Sequence, residues 1–114
     1  MINVRILRQE NGSIHGFEVK GHANFAKHGE DIVCAGVSTV TVGTVNSLEA
    51  LTGTVMDSRM NDGFLSAYLP VDGNGDAGSG VQLLLESMVV MLNSIAESYG
   101  KYIQIKEVIT QRRR

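Results

Sequence analysis

The segment DIVCAGVSTVTVGTVNSLEAL, residues 31–51, decides how the fold of this chain is interpreted. Its apolar residues recur at spacings of three and four, which is typical of one stripe of an amphipathic helix. The sequence therefore predicts a helix over residues 34–51 that ends at Gly53. Cys34 stands at or just before the start of this helix, and Asp31 precedes it at a position suited to capping. The predicted stripe consists of Val37, Val40, Thr44, Leu48 and Leu51.

A β-hairpin is predicted before this helix. Apolar and polar residues alternate over residues 2–6 and again over 13–19, and the pair Asn11-Gly12 between them favours a tight turn. The alternation changes phase within the second strand, and Gly16 is the predicted place of a bulge.

Four more elements follow the helix. They are strands over residues 54–60 and 64–69 on either side of Asn61-Asp62-Gly63, a helix over 81–99 ended by Gly100, and a strand over 102–108. The order strand, strand, helix, strand, strand, helix, strand predicts a single α+β domain over residues 1–114. We expect one mixed or mostly antiparallel sheet, covered by the two helices.

Composition is consistent with a small intracellular enzyme. The chain has 114 residues, is 43% hydrophobic and carries ten basic and twelve acidic residues, a net charge of −2. This charge is too close to zero to indicate a nucleic-acid or membrane partner. The N-terminal residues contain no apolar stretch of signal-peptide length. We therefore expect a cytoplasmic protein without a membrane partner, and a solvated arginine tail at residues 112–114 without direct RNA contact.

Cys34 is the only cysteine of the chain, and His22 precedes it by twelve residues. A thiol and an imidazole are the smallest set of side chains for nucleophilic catalysis. A thiol nucleophile needs a base, a cation or a helix N-terminus beside it, and all three are available here. The residues alone leave two interpretations open, because a free cysteine is also among the residues most often buried as a small apolar side chain.

The residues around these two side chains resemble a known family. The triplet Gly21-His22-Ala23, the pair Gly29 and Asp31, and the run DIVCAGVS at residues 31–38 are similar to the signature of Prp, the YsxB-like ribosomal-processing cysteine proteases of bacteria. The resemblance extends over nearly the whole chain and is most specific over residues 21–38.

The resemblance implies a function. It makes Cys34 the nucleophile and His22 the base of an endopeptidase that needs no cofactor. Its substrate would be the precursor of the large-subunit ribosomal protein L-twenty-seven, from which it removes a short N-terminal extension by cutting after an aromatic residue. The family also forms homodimers, so we expect this chain to form one.

Three further residues are candidates for supporting roles. Asp31 either caps the helix or orients His22 as the third member of a triad. Ser38, one turn into the helix, either supports the thiol or packs there. We expect backbone amides at the helix start to hold the oxyanion, and Ala35 follows Cys34 directly.

The segment between base and nucleophile, residues 23–33, is long for a connection within a small domain. We interpret it as a mobile lid that orders over an extended peptide, with Gly21 and Gly29 as hinges. The alternative is an ordinary surface loop.

Other functions stay open. In a non-catalytic ribosome-assembly or peptide-binding module, the same loop would capture a peptide and Cys34 would only be packed. His22, His28 and Cys34 are equally spaced by six residues, which raises the possibility of a zinc-dependent hydrolase. No metal site is predicted, because no fourth ligand lies nearby and the spacings match no compact zinc pattern.

Overall fold

In the computed structural model, which describes residues 1–27, 30–71 and 78–110, the elements follow the predicted order. The elements are β1 (Ile2–Arg8), β2 (Ile14–Lys20), α1 (Ile32–Thr52), β3 (Asp57–Asn61), β4 (Phe64–Tyr68), α2 (Ser79–Tyr99) and β5 (Ile103–Ile109).

The strands form one sheet in the order β3-β4-β2-β1-β5. β5 runs parallel to β1, and the other neighbouring strands are antiparallel. Alternate residues of β1, β2, β4 and β5 pack with both helices into one hydrophobic core cluster. The predicted α+β fold with a mixed sheet under two helices is therefore confirmed.

The phase change predicted in β2 is a bulge, but its extra residue is His15 and not Gly16, the predicted place. Leu7 of β1 pairs with Gly16, but the next residue, Arg8, pairs with Ile14, so His15 is the extra residue on β2. The bulge explains how Ile14 and Phe17 are both fully buried although they differ in parity.

Helix α1 begins at Ile32, two residues earlier than predicted, because Asp31 is its N-cap. It ends at Gly53, as predicted, in a left-handed conformation with φ of 73°. The predicted stripe is wrong at Leu51, whose side chain is 73% exposed, since no residue of the last turn after Leu48 is buried. The buried residues of α1 are Val33, Val37, Thr41, Thr44 and Leu48.

Both helices are long and apolar enough to cross a membrane by length and mean hydropathy alone. The core helices of a globular domain meet the same criterion, and here α1 and α2 contribute the fully buried Leu48 and Leu85 to the core. Length and hydropathy are therefore weak evidence for a membrane span.

The turn between β3 and β4 lies against the C-terminal end of β2. The backbone N–H of Gly21, directly after β2, donates a hydrogen bond to the Gly63 carbonyl oxygen at 2.8 Å. This contact places the hairpin turn beside His22, the next residue of the chain.

Candidate active site

A cleft of about 570 Å³ lies between the N-terminal half of α1, the end of β2 and the β3–β4 turn. Cys34 and His22 both line it, although they come from different elements. The other sequence-predicted site residues in its lining are Gly21, Asp31, Ala35 and Ser38. The fifth supporting or hinge residue, Gly29, lies outside the described residues.

Cys34 is the third residue of α1, and its side chain is neither sealed in the core nor fully exposed. The backbone N–H of Ala23 donates a hydrogen bond to its Sγ at 3.3 Å. This amide and the partial positive charge at the helix N-terminus both favour negative charge on the sulfur. Cys34 therefore occupies a position suited to a reactive thiolate.

The carboxylate of Asp31 organises the first turn of α1 and the loop before it. Its Oδ1 accepts hydrogen bonds from the backbone N–H groups of Val33 at 2.9 Å and Cys34 at 3.0 Å. Its Oδ2 accepts from those of Phe25 at 2.9 Å and Ala26 at 3.3 Å. Burial raises the pKa of Asp31, but the four amide donors outweigh it, so the pKa lies below its ordinary value.

These hydrogen bonds change the expected oxyanion site. The amides of Val33 and Cys34 already donate to the Asp31 carboxylate, and that of Ala35 donates to the Asp31 carbonyl oxygen at 3.0 Å. The expectation that these helix-start amides are available to an oxyanion is therefore not met in this arrangement. The amide that lies at the sulfur is that of Ala23. The sequence does not predict this role, although Ala23 directly follows His22.

A different carboxylate takes the position beside His22. Both oxygens of Asp31 are engaged by backbone amides, which favours the capping interpretation over the triad interpretation. Asp62, in the β3–β4 turn, has its Oδ1 3.9 Å from His22 Nε2. Forty residues separate Asp62 from His22, so only the packing of the hairpin turn against the end of β2 reveals this proximity.

Ser38 lies one helical turn after Cys34 and is exposed within the cleft wall. Residues spaced by three or four share one face of a helix, so Ser38 is on the face that carries Cys34. Thr41 and Val42 extend the same wall along α1. This geometry gives the cleft an elongated wall that starts at the thiol.

The loop between His22 and α1 is tied down at Phe25. The ring of Phe25 meets Tyr99 and Tyr102 edge to face, with ring centroids 5.7 Å and 5.1 Å apart. Together with the Phe25 amide bonded to Asp31, these contacts hold the first half of the loop against the end of α2.

The zinc alternative rests partly on His28, which lies outside the described residues. Among the residues at 1–27, 30–71 and 78–110, no group of three histidine, cysteine, aspartate or glutamate side chains is placed to hold a metal ion.

Comparison with known families and proteins identifies relatives that match most of the chain. The family model for the cysteine protease Prp matches residues 1–104. The ribosomal processing cysteine protease Prp of Bacillus subtilis is 37% identical over 107 residues, covering 92% of this chain and 96% of that protein. The protein of the same name from Staphylococcus aureus is 36% identical over 106 residues, covering 92% and 97%.

Solved structures give the same result for the fold. The crystal structure of the S. aureus ribosomal processing protease Prp with a covalently linked product peptide matches with a TM-score of 0.84 and 33% identity, covering 95% of this chain and 100% of that chain. The same protease with a substrate peptide matches with a TM-score of 0.80 and 34% identity, again covering 95% of this chain and 100% of that chain. SMU.848 from Streptococcus mutans matches with a TM-score of 0.85 and 31% identity, covering 96% of each chain.

Proposed function

This chain belongs to the Prp family of cysteine proteases, and we propose that it removes the N-terminal extension of the precursor of ribosomal protein L-twenty-seven, with Cys34 as nucleophile and His22 as base. The observation that carries the proposal is the placement of both side chains in one cleft, with a backbone amide donating to the sulfur. The relatives are ribosomal processing proteases, which supports a ribosomal protein as the substrate.

The reaction begins with proton transfer from the Cys34 thiol to His22. The sulfur forms a bond to the carbonyl carbon of the scissile peptide, and the carbonyl electron pair moves to its oxygen. When this intermediate collapses, the carbon–nitrogen bond breaks and the leaving amine takes the proton from His22. Water then attacks the resulting thioester, and His22 accepts a proton from the water. When the second intermediate collapses, the carbon–sulfur bond breaks, and His22 returns its proton to the sulfur to regenerate the Cys34 thiol.

Ala23 has a double role in this proposal. Its N–H donates to Sγ, where it stabilises the thiolate before attack. During attack the negative charge moves from the sulfur to the substrate oxygen, which is bonded to the same carbon that the sulfur attacks. An amide already placed at the sulfur is therefore near the position where the oxyanion develops, whereas those of Cys34 and Ala35 are held by Asp31.

The cleft suits an extended peptide. One wall is the α1 face from Cys34 to Val42, and the opposite wall includes the β3–β4 turn and the exposed Met60. Apolar walls with a few polar groups at one end are typical of sites that bind side chains and orient one bond. The aromatic residue before the cut is accommodated in this cleft, and the loop from Ala23 closes over the bound peptide as a lid.

We also propose the family's homodimer and a cytoplasmic location for this chain. Helix α2 supports self-association, because it exposes the large apolar side chains of Leu83, Val90 and Met91, which are 70%, 65% and 42% exposed. A dimer predicts a mass near twice 12.3 kDa in size-exclusion chromatography with light scattering.

The test is cleavage of a synthetic peptide that copies the extension and the first residues of the mature substrate, with the products identified by mass spectrometry. The proposal expects one cut, directly after the aromatic residue, and its loss when alanine replaces that residue. Binding of the peptide without any cut favours the non-catalytic peptide-binding module instead. A cut in the unaltered peptide at another position rejects the proposed specificity.

A further inference from the structure

The β3–β4 turn lies directly against the imidazole ring of His22. A Cβ atom built on Gly63 would lie 2.7 Å from His22 Nε2 and 3.4 Å from both Cδ2 and Cε1. Distances under 3.0 Å are closer than real side chains tolerate, so any residue larger than glycine at this position displaces the ring. The backbone of the turn is therefore the surface on which the ring rests.

The same turn is fixed to the chain directly before His22. The N–H of Gly21 donates to the Gly63 carbonyl oxygen at 2.8 Å. Gly21 has φ of +94°, and a Cβ there would collide with the Met1 carbonyl oxygen. The start of β1, the residue before His22 and the turn under its ring are thus held together through backbone contacts.

A carboxylate completes this arrangement. Asp62 Oδ1 lies 3.9 Å from His22 Nε2, and the two side chains are 82% and 45% exposed. Solvent weakens such a pair, so its effect on the rate is expected to be modest. We expect Asp62 to increase the rate, because its carboxylate attracts the positive charge that His22 carries after it takes the thiol proton.

We propose that Gly63 and Asp62 are positioning residues for the His22 base: Gly63 sets where the ring lies and Asp62 supports its charged form. This inference rests on the proposed function of His22. Both residues lie beside the imidazole ring, and we expect them to act through it.

The chain offers a matched control for Gly63. Gly53 has the same φ of +73°, but a Cβ there meets nothing within 4 Å. Gly63→Ala and Gly53→Ala therefore share the backbone strain, and only the first disturbs His22. On the synthetic substrate peptide, we expect kcat to fall about tenfold or more in Gly63→Ala, with KM changed less than about twofold. Equal kcat values for Gly63→Ala and Gly53→Ala overturn the role of Gly63.

Asp62 is tested without any change in the backbone. We expect Asp62→Asn to lower kcat by about two- to fivefold and Asp62→Glu to restore most of it. Asp57→Asn is the control, because Asp57 is an exposed carboxylate of the same hairpin that does not line the cleft. Equal kcat values for Asp62→Asn and Asp57→Asn overturn the role of Asp62, whether or not Gly63→Ala folds.

An NMR measurement of the ring separates this inference from the proposed function. The imidazole nitrogen signals of His22 are identified by their loss in His22→Gln, and they are compared among the unaltered protein, Gly63→Ala and Gly53→Ala. A displacement of these signals in Gly63→Ala alone supports the positioning role, and unmoved signals overturn it. If the unaltered protein cleaves no peptide, the proposed function fails. The NMR comparison still decides whether Gly63 sets the position of the His22 ring.

Discussion

The carboxylate of Asp31 accepts a hydrogen bond from the backbone N–H of Cys34 at 3.0 Å, so the N-cap of α1 is bonded directly to the residue that carries the thiol. Its second oxygen holds the amide of Phe25 at 2.9 Å. One side chain therefore fixes the nucleophile's helical turn and the loop that runs back to His22. The loop and the helix start are coupled through this carboxylate.

Replacing Asp31 by asparagine is expected to lower both stability and activity. The asparagine side chain keeps one oxygen, which can accept from the N–H groups of either the loop or the helix. Its NH₂ group is a donor, so it cannot accept from the N–H groups on the other side. Asp31→Ser separates the two roles, because serine is a good N-cap but cannot reach the loop as well. We expect thermal unfolding to show a Tm several degrees lower in Asp31→Asn and partly recovered in Asp31→Ser, with peptide cleavage impaired in both. Full activity in Asp31→Ser contradicts the coupling of loop and helix.

The pH dependence of stability follows from the same carboxylate. Because the pKa of Asp31 is lower in the folded state, its contribution is present above its unfolded pKa of about 3.9 and is lost as the pH falls through the folded value. The pKa of Glu18 is lowered by its hydrogen bond from Tyr68, and that of Glu86 by Arg8, so they act in the same direction. We expect Tm to be level above about pH 5 and to fall below about pH 4. We expect this decrease in Tm to be smaller in Asp31→Asn. An equal decrease in Asp31→Asn and the unaltered protein contradicts the contribution of the Asp31 carboxylate.

Removing the ring of Phe25 is expected to loosen the loop without unfolding the domain. Each edge-to-face pair is worth about 0.5–1.5 kcal/mol, and Phe25 is 40% exposed, so the loss falls mainly on the loop. In Phe25→Ala, limited proteolysis within residues 23–31 should be about tenfold faster. Bound substrate peptide should slow it, as expected of a lid. Tyr102→Phe, which keeps the aromatic contact, is the control, and equal proteolysis rates in Phe25→Ala and the unaltered protein contradict the prediction.

Arg8 stabilises the fold at a distance from the cleft. Its guanidinium donates two hydrogen bonds to Glu86 of α2, at 2.6 Å and 2.9 Å, and one to Glu107 of β5 at 2.6 Å, and its side chain is 18% exposed. Arg8→Met should therefore lower the free energy of unfolding by about 1–2 kcal/mol. Urea denaturation measures this free energy. Arg5→Met should cost less, because Arg5 is 44% exposed and donates one hydrogen bond, to Glu18, where Arg8 donates three to Glu86 and Glu107. A large loss of kcat in folded Arg8→Met contradicts a purely structural role.

Much of the fold is predictable from the sequence because it depends on local patterns. The alternation of Ile2, Val4 and Ile6 predicts β1, and the cap at Asp31 and the glycine at position 53 bound α1 to within two residues. The exposed Leu51 was wrongly placed in the core because periodicity alone does not show where a helix stops touching the sheet. Packing decides that.

The site is only half predictable, for a physical reason. Cys34, His22 and Asp31 lie within thirteen residues and form a recognisable pattern. The contacts of His22 with Gly63 and Asp62 join positions about forty residues apart, and they exist because the β3–β4 turn docks on the end of β2. The local sequence marks Asp62 and Gly63 only as a hairpin turn, and the tertiary fold brings them to the ring.

The most direct test of the central claim compares peptide cleavage by the unaltered protein, Cys34→Ser, His22→Ala and the distant control Gly53→Ala. Serine is nearly the same size as cysteine, so a loss of activity in Cys34→Ser reports on the sulfur and not on packing. We predict that kcat/KM falls by about a thousandfold or more in Cys34→Ser and in His22→Ala, while Gly53→Ala stays within about threefold of the unaltered protein. Cleavage by folded Cys34→Ser at a rate comparable to that of the unaltered protein would contradict the claim that Cys34 attacks the substrate.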